Sequence, residues 1–226
     1  MVKTLLLWDI DGTLIDSGGA GERALLLSLK REFAIDDTLA WLEYFGRTDV
    51  WIARKILEKY HGAATPETIS RFLTGYLKAL AEEIHNPLAC ILPGVSAIVT
   101  SAARHDSITQ GLLTGNLRQG AETKLGHLGL WSPFPFGAFA DDAEHRNDLG
   151  PFALRRASSH GGNDFSPEHV FVIGDTPHDI ACGKAIGAQT IAVATGRFSS
   201  EQLRTHNPTA VLENLADTDA FFALLK

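Results

Sequence analysis

Two aspartates stand two positions apart in Asp9-Ile10-Asp11-Gly12-Thr13-Leu14, directly after the apolar run Leu5-Leu6-Leu7-Trp8. Isolated charges at the end of a buried strand are costly unless they are paired or bind a metal. The pattern therefore reads as a site for a divalent cation and a nucleophile, and it points to phosphoryl transfer. Positions 9 and 11 share one side of a strand, but Gly12 begins a turn. One carboxylate can then contact a metal while the other handles protons. A second pair lies in Val172-Ile173-Gly174-Asp175-Thr176-Pro177-His178-Asp179. Asp175 ends another apolar strand. Asp179 begins a helix, where it also reads as an N-cap or a complement to the dipole. Mg²⁺ takes hard oxygen ligands, and Asp9 and Asp175 would supply them. Thr114-Gly115-Asn116 follows a third apolar run. Its hydroxyl and backbone N–H groups suit phosphate oxygens, although the same triplet is ordinary turn chemistry.

Short apolar runs must position these groups. They read as buried parallel strands at 4–9, 108–114, 136–140, 169–174 and 190–194, with a sixth at 210–212. Helical patterns at 95–104, 120–128, 149–158, 180–186 and 200–204 fall between them. This alternation predicts an α/β fold, a doubly wound Rossmann-like parallel sheet with function at the carboxyl ends of its strands. Residues 17–87 break the alternation with helices at 21–33, 49–60 and 66–84. Such a stretch far exceeds a normal βα connection. The expected organisation is an α/β core of residues 1–16 and 88–226 with an inserted helical cap, 17–87. The insert leaves the sheet beside Asp9 and is placed to act as a lid.

Composition narrows the function classes. The 226 residues carry a formal net charge of −7, which offers no basic footprint for nucleic acid. No apolar run reaches the roughly 18 residues of a membrane span, and the N-terminus lacks a signal-peptide pattern. Cys90 and Cys182 have no metal-ligand spacing, so free buried thiols in a cytoplasmic protein are expected. The nine histidines form no zinc pattern. Trp41, Tyr44, Phe45 and Trp51 read as packing within the insert. Oligomeric state is not legible.

At these motifs the chain resembles the haloacid dehalogenase-like hydrolase superfamily, in its phosphatase branch with a small helical cap. The first motif of that family is Asp9-Ile10-Asp11-Gly12-Thr13, the second is Thr114, and the fourth is Gly174-Asp175 with Asp179. The third motif departs from the pattern. The family usually has Lys followed by Pro before a helix, and here the stretch runs Glu144-His145-Arg146-Asn147-Asp148. Arg146 is the favoured phosphate-binding cation. Lys124 is the alternative, although its mid-helix position reads as a solvated face.

The resemblance implies Mg²⁺ held by Asp9, Asp175 and the backbone carbonyl of Asp11, with Asp9 as nucleophile and Asp11 as proton carrier. Thr114, Gly115, Asn116 and Arg146 would hold the phosphoryl group. Asp179 and Gly174 would support the site, Asp179 by orienting metal-bound water or Arg146. Cap loops of this family read the leaving group, which makes Arg47 in Phe45-Gly46-Arg47-Thr48-Asp49 a substrate-binding candidate. The implied substrate is a small phosphorylated metabolite, phosphoglycolate-like or a sugar phosphate. The rival readings are a phosphoglucomutase-type enzyme, a 2-haloacid dehalogenase and a non-catalytic phosphate-binding protein. Asp11 argues against the dehalogenase, whose members generally lack the second acid.

Overall fold

Strand β1 (Thr4–Trp8) is buried at every position, and its side chains divide between two cores. Leu6 and Trp8 enter the cluster with Ile98, Val99 and Phe221. Leu5 and Leu7 enter the cluster with Ala153, Ala157 and Val172 on the opposite face. A strand covered on both faces needs a continuous apolar run, which explains the lack of alternation at residues 4–8. The computed structural model describes residues 3–161 and 164–225.

The chain runs β1, β2 (Ile15–Asp16), α1 (Ala20–Phe33), α2 (Asp49–His61), α3 (Pro66–Glu83), β3 (Cys90–Ile91), α4 (Val95–Ala103), β4 (Ile108–Leu113), α5 (Arg118–His127) and β5 (Gly137–Ala138). A 3₁₀ turn (Arg146–Asp148) leads into α6 (Gly150–Gly161). Then come β6 (Val170–Gly174), α7 (Pro177–Ala185), β7 (Gln189–Val193), α8 (Ser200–Arg204), β8 (Ala210–Leu212) and α9 (Thr218–Ala223). Six strands form one parallel sheet in the order β5-β4-β1-β6-β7-β8. The chain moves outward from β1 through β4 to β5, then resumes on the other side with β6. Strand order thus reverses at β1, the place where open α/β sheets bind ligands. Asp9 is the first residue past that strand.

All six predicted strands enter this sheet, with β5 reduced to two residues. Three features escaped the sequence reading. Ile15–Asp16 and Cys90–Ile91 pair as a separate antiparallel ribbon at the base of the inserted helices. Helix α9 places Phe221 against Trp8, with ring centroids 5.5 Å apart. Cys90 is exposed rather than buried, while Cys182 is buried, and both are free thiols.

Helices α1, α2 and α3 share their own apolar cluster, including Leu29, Ile56, Phe72 and Leu80. Their ends are signalled locally. Thr48 caps α2 by accepting the Trp51 N–H at 3.1 Å, and Thr65 with Thr68 forms a capping box around Pro66 on α3. Tyr44 and Trp51 pack against this cluster, whereas Trp41 is 40% exposed and lies under the Lys59 ammonium.

Candidate active site

The carboxyl ends of β1, β4, β6 and β7 and the loops of the inserted helices enclose a cavity of about 410 Å³. Asp9, Asp11, Gly115, Asn116, Arg146 and Asp175 line its sheet side, and Arg47, Asp49 and Tyr76 line the helical side. Thr114 and Gly174 lie just beneath it, fully or nearly buried. Thr114 Oγ1 accepts the Asn116 side-chain amide at 2.9 Å, so Asn116 and Gly115, not Thr114, present the second motif to the cavity.

Asp9 is 4% exposed, and its Oδ1 lies 2.8 Å from an Arg146 guanidinium nitrogen. Burial pushes its pKa up to about 6; Arg146 opposes this, while Asp179 and Asp11 add to it. Burial, with the Asp179 and Asp9 charges, raises Asp175 well above the usual carboxylate range. Gly12 adopts φ 77° directly over Asp175, and a Cβ there would lie 2.5 Å from the Asp175 carboxylate. Glycine thus serves both the turn and the close approach of two motifs.

Asp179 is the third residue of α7, not its N-cap. Thr176 is the cap, and Asp179 Oδ2 accepts its N–H at 2.9 Å and its hydroxyl at 2.7 Å. Asp179 Oδ1 accepts Arg146. A capping box therefore aims this carboxylate at the guanidinium. Arg146 also donates to the Gly46 carbonyl at 3.1 Å. Burial would lower its pKa, but Asp179 and Asp9 outweigh that and raise it.

Asp9, Asp175 and Asp179 each place a carboxylate oxygen within 4.8 Å of the others, all buried. Clustered carboxylates in a dry site fit a hard divalent cation such as Mg²⁺. Both Asp179 oxygens are engaged by Arg146 and Thr176, which leaves Asp9 and Asp175 as the open donors.

Lys124 corrects the solvated-face reading. Its side chain is 4% exposed, and Nζ lies 2.6 Å from Asp11 Oδ2 and 2.6 Å from Asn116 Oδ1. The signal was present in the sequence: Ala121 and Leu125 mark the inner face of α5, and position 124 shares it. Both candidate cations therefore reach the site, Arg146 at Asp9 and Lys124 at Asp11. Lys124 and Asn116 lower the pKa of Asp11 against the burial that would raise it.

The inserted helices grip this region closely. The Asp49 N–H donates to the Gly115 carbonyl at 2.7 Å, and the Asp49 carboxylate accepts the Leu117 N–H at 2.7 Å. Thr48 donates to the Glu144 carbonyl, and Arg54 pairs with the Glu144 carboxylate at 2.6 Å. A Cβ on Gly115 would strike the Arg47 backbone, so this glycine serves a contact between segments more than a turn. Arg47 lines the cavity with its guanidinium 4.6 Å from the Trp51 ring centroid, and among the described residues its Nε has no hydrogen-bond partner. Asp49, Tyr76, Thr195 and Arg197 also line the cavity, and sequence reasoning assigned none of them a role there.

Burial, opposed by Lys124 and the Leu117 N–H, raises Asp49 to about 6. An aspartate with a raised pKa holds its proton longer when folded than when unfolded. Its favourable contribution is intact below pH about 4 and is lost as pH rises through about 6. Asp49→Asn keeps the acceptor for Leu117 and removes the ionisation. The stability advantage of the variant over the wild type should grow from pH 4 to 7 and then level at on the order of 3 kcal/mol. Urea melts across that range measure it, and parallel stability curves would exclude an Asp49 ionisation cost.

Among the described residues no helix is long and apolar enough to cross a membrane. A family model described as HAD-hydrolase-like matches residues 146–218. The chain is similar to pyrophosphatase PpaX of Bacillus velezensis, 27% identical across 95% of this chain and 94% of that protein. It is similar to phosphoglycolate phosphatase of Photorhabdus laumondii, 22% identical across 94% of this chain and 89% of that protein. A hydrolase from Pseudomonas syringae shares the fold, with a TM-score of 0.76 at 20% identity over 98% of each chain. The matched stretch carries Arg146, Asp175 and Asp179, which the strands bring to the Asp9 motif, and across nearly its whole length the chain is similar to phosphatases and shares a haloacid dehalogenase-like fold.

Proposed function

We propose that this protein is a Mg²⁺-dependent phosphatase that hydrolyses a small phosphorylated metabolite through an aspartyl-phosphate on Asp9. The observation that carries the reading is the position of Asp9: buried at the sheet switch point, paired to Arg146 and grouped with Asp175, yet open to the cavity. Mg²⁺ held by Asp9, Asp175 and the Asp11 backbone carbonyl would offset charge between the nucleophile and an anionic phosphate. Asp9 attacks phosphorus, forming an Asp9–O–P bond as the bond to the leaving oxygen breaks. Asp11 gives that oxygen a proton, then takes one from the water that cleaves the aspartyl-phosphate. Arg146 and the amides around Gly115 and Asn116 stabilise the phosphoryl oxygens. Residues 17–87 serve as the cap over a core of 1–16 and 88–226, and their closure excludes bulk water during transfer. Arg47 and Tyr76 face the leaving group from the cap, and the cavity volume suits a small phosphate ester such as phosphoglycolate or a sugar phosphate.

The test is turnover of a panel of phosphoglycolate, glycerol phosphates, hexose phosphates, pyrophosphate and p-nitrophenyl phosphate, with and without Mg²⁺. Metal-dependent phosphate release from at least one member is expected, and a flat panel would reject the reading. Asp11→Ala should slow turnover of alkyl phosphates about 10²- to 10⁴-fold while Mg²⁺ still raises the melting temperature. Loss of that thermal shift in Asp11→Ala would instead make the Asp11 side chain a metal ligand.

A further inference from the structure

Lys124 has no place in the steps above, yet it is a buried lysine reaching into the cavity. A buried ammonium is costly unless its hydrogens are satisfied. Here two of them are accepted at 2.6 Å each, by Asp11 Oδ2 and by Asn116 Oδ1. The Asn116 amide closes the ring by donating to the same Asp11 oxygen at 2.9 Å and to Thr114 Oγ1 at 2.9 Å. The bonds from Lys124 and Asn116 both end on Asp11 Oδ2, so Oδ1 lies outside this clamp, and Ser17 also bonds the Asp11 carboxylate. The Asp11 side chain keeps 38% of its surface exposed, on the side of the cavity. Arg146, the other buried cation among the described residues, is tied to Asp9 and Asp179.

We propose, on the reading of Asp11 as the proton carrier, that Lys124 is its positioning residue: with Asn116 it clamps Asp11 Oδ2 and leaves Oδ1 to meet the leaving oxygen. Lys124 keeps all its protons throughout. When the bond from phosphorus to the leaving oxygen breaks, that oxygen takes its hydrogen from Asp11. When water attacks the aspartyl-phosphate, its hydrogen passes to Asp11 and the Asp9–phosphorus bond breaks. A side chain that rotates away from the clamp performs neither transfer at the required distance. Lys124 thus acts through Asp11 and not on the phosphate.

The distinguishing readout is leaving-group dependence. p-Nitrophenolate departs without a proton, whereas an alkoxide needs one. Lys124→Met, Lys124→Gln and Lys124→Arg are assayed with saturating Mg²⁺ on p-nitrophenyl phosphate and on the alkyl phosphate that the wild type turns over fastest in the panel. For Lys124→Met and Lys124→Gln, leaving-group release in a single turnover at saturating substrate should slow about 30- to 100-fold for the alkyl ester, with the half-saturating concentration within about threefold. It should slow less than about threefold for p-nitrophenyl phosphate, while hydrolysis of the shared aspartyl-phosphate slows equally for both. Lys124→Arg, which keeps charge and donors, should recover most of the loss. In an Asp11→Asn background, Lys124→Met should cost no more than about twofold further.

Equal losses in leaving-group release on both substrates, or additive losses with Asp11→Asn, would overturn the assignment. So would a tenfold rise in KM at unchanged kcat, which would make Lys124 a phosphate ligand. A wild type silent on every ester would remove the phosphatase reading and this role with it. An active wild type with those equal losses in release removes the Lys124 role alone. Thermal melts check that the variants fold, and Lys124→Gln retains a polar group at the site if Lys124→Met does not.

Discussion

Asp9→Asn should abolish phosphate-ester turnover, with kcat reduced by about 10⁴-fold or more. The amide is close to isosteric and still accepts a hydrogen bond from Arg146, so the fold should survive and the melting temperature should stay within a few degrees. What it lacks is an anionic oxygen able to bond to phosphorus. The site is arranged around that one atom: Oδ1 of Asp9 is held 2.8 Å from Arg146, and Asp175 lies within the same buried group. The Arg146 guanidinium counters negative charge in this small volume, as a bound Mg²⁺ would, and that benefit goes to an attacking carboxylate. The check is steady-state turnover with Mg²⁺, beside a melt of the same preparation. Substantial Mg²⁺-dependent activity in folded Asp9→Asn would reject Asp9 as the nucleophile.

Arg146→Ala should cost both stability and catalysis. The guanidinium is 5% exposed and serves Asp9, Asp179 and the Gly46 carbonyl together. Its removal leaves the buried acid cluster of Asp9, Asp175 and Asp179 without this counter-cation. Breaking a buried ion pair by deleting one partner typically costs about 3–5 kcal/mol. For a chain of this size that corresponds to about 10 °C in melting temperature. On the proposed reading Mg²⁺ should repair part of the deficit, because it would bind the folded cluster and not the unfolded chain. Metal at a hundredfold excess over its dissociation constant contributes about 2.7 kcal/mol. The melting temperature should therefore rise more with Mg²⁺ in Arg146→Ala than in the wild type. Turnover should fall about 10²- to 10³-fold even in the metal-saturated variant, since the donor proposed for the phosphoryl oxygens would be gone. Arg146→Lys keeps the charge but loses the planar fork that spans Asp9 and Asp179, so it should fall between the two. A variant as stable as the wild type, or one that retains activity within tenfold, would show that the cluster does not depend on this cation.

Much of the architecture was legible because it is written locally. Leu5-Leu6-Leu7-Trp8 is apolar without alternation, as a doubly covered strand must be. Thr48, Thr65 and Thr176 announce helix starts through their own side chains. The short ribbon of Ile15–Asp16 with Cys90–Ile91 was not legible. Two residues carry no periodicity, and their partners are separated by the whole helical insert. Helix α9 is nearly as short at six residues, and it stays in place through the packing of Phe221 on Trp8.

The site divides along the same line. Asp9, Asp11, Asp175 and Asp179 are marked by strand ends and turns, so residue type and position along the chain suffice to select them. Lys124 sits inside a helix and Asp49 opens one, and at both places a charged residue ordinarily faces water. Local sequence can mark the inner face of α5, but it does not say which segment, 68 or 113 residues away, such a residue meets. By itself the sequence determined the sheet, the acidic motifs at its edge and the chemistry those residue types permit, because strand periodicity and turn chemistry are short-range properties. Tertiary structure alone decided which cation serves which acid, Arg146 at Asp9 and Lys124 at Asp11, because ion pairing depends on side chains meeting within about 3 Å across packed elements.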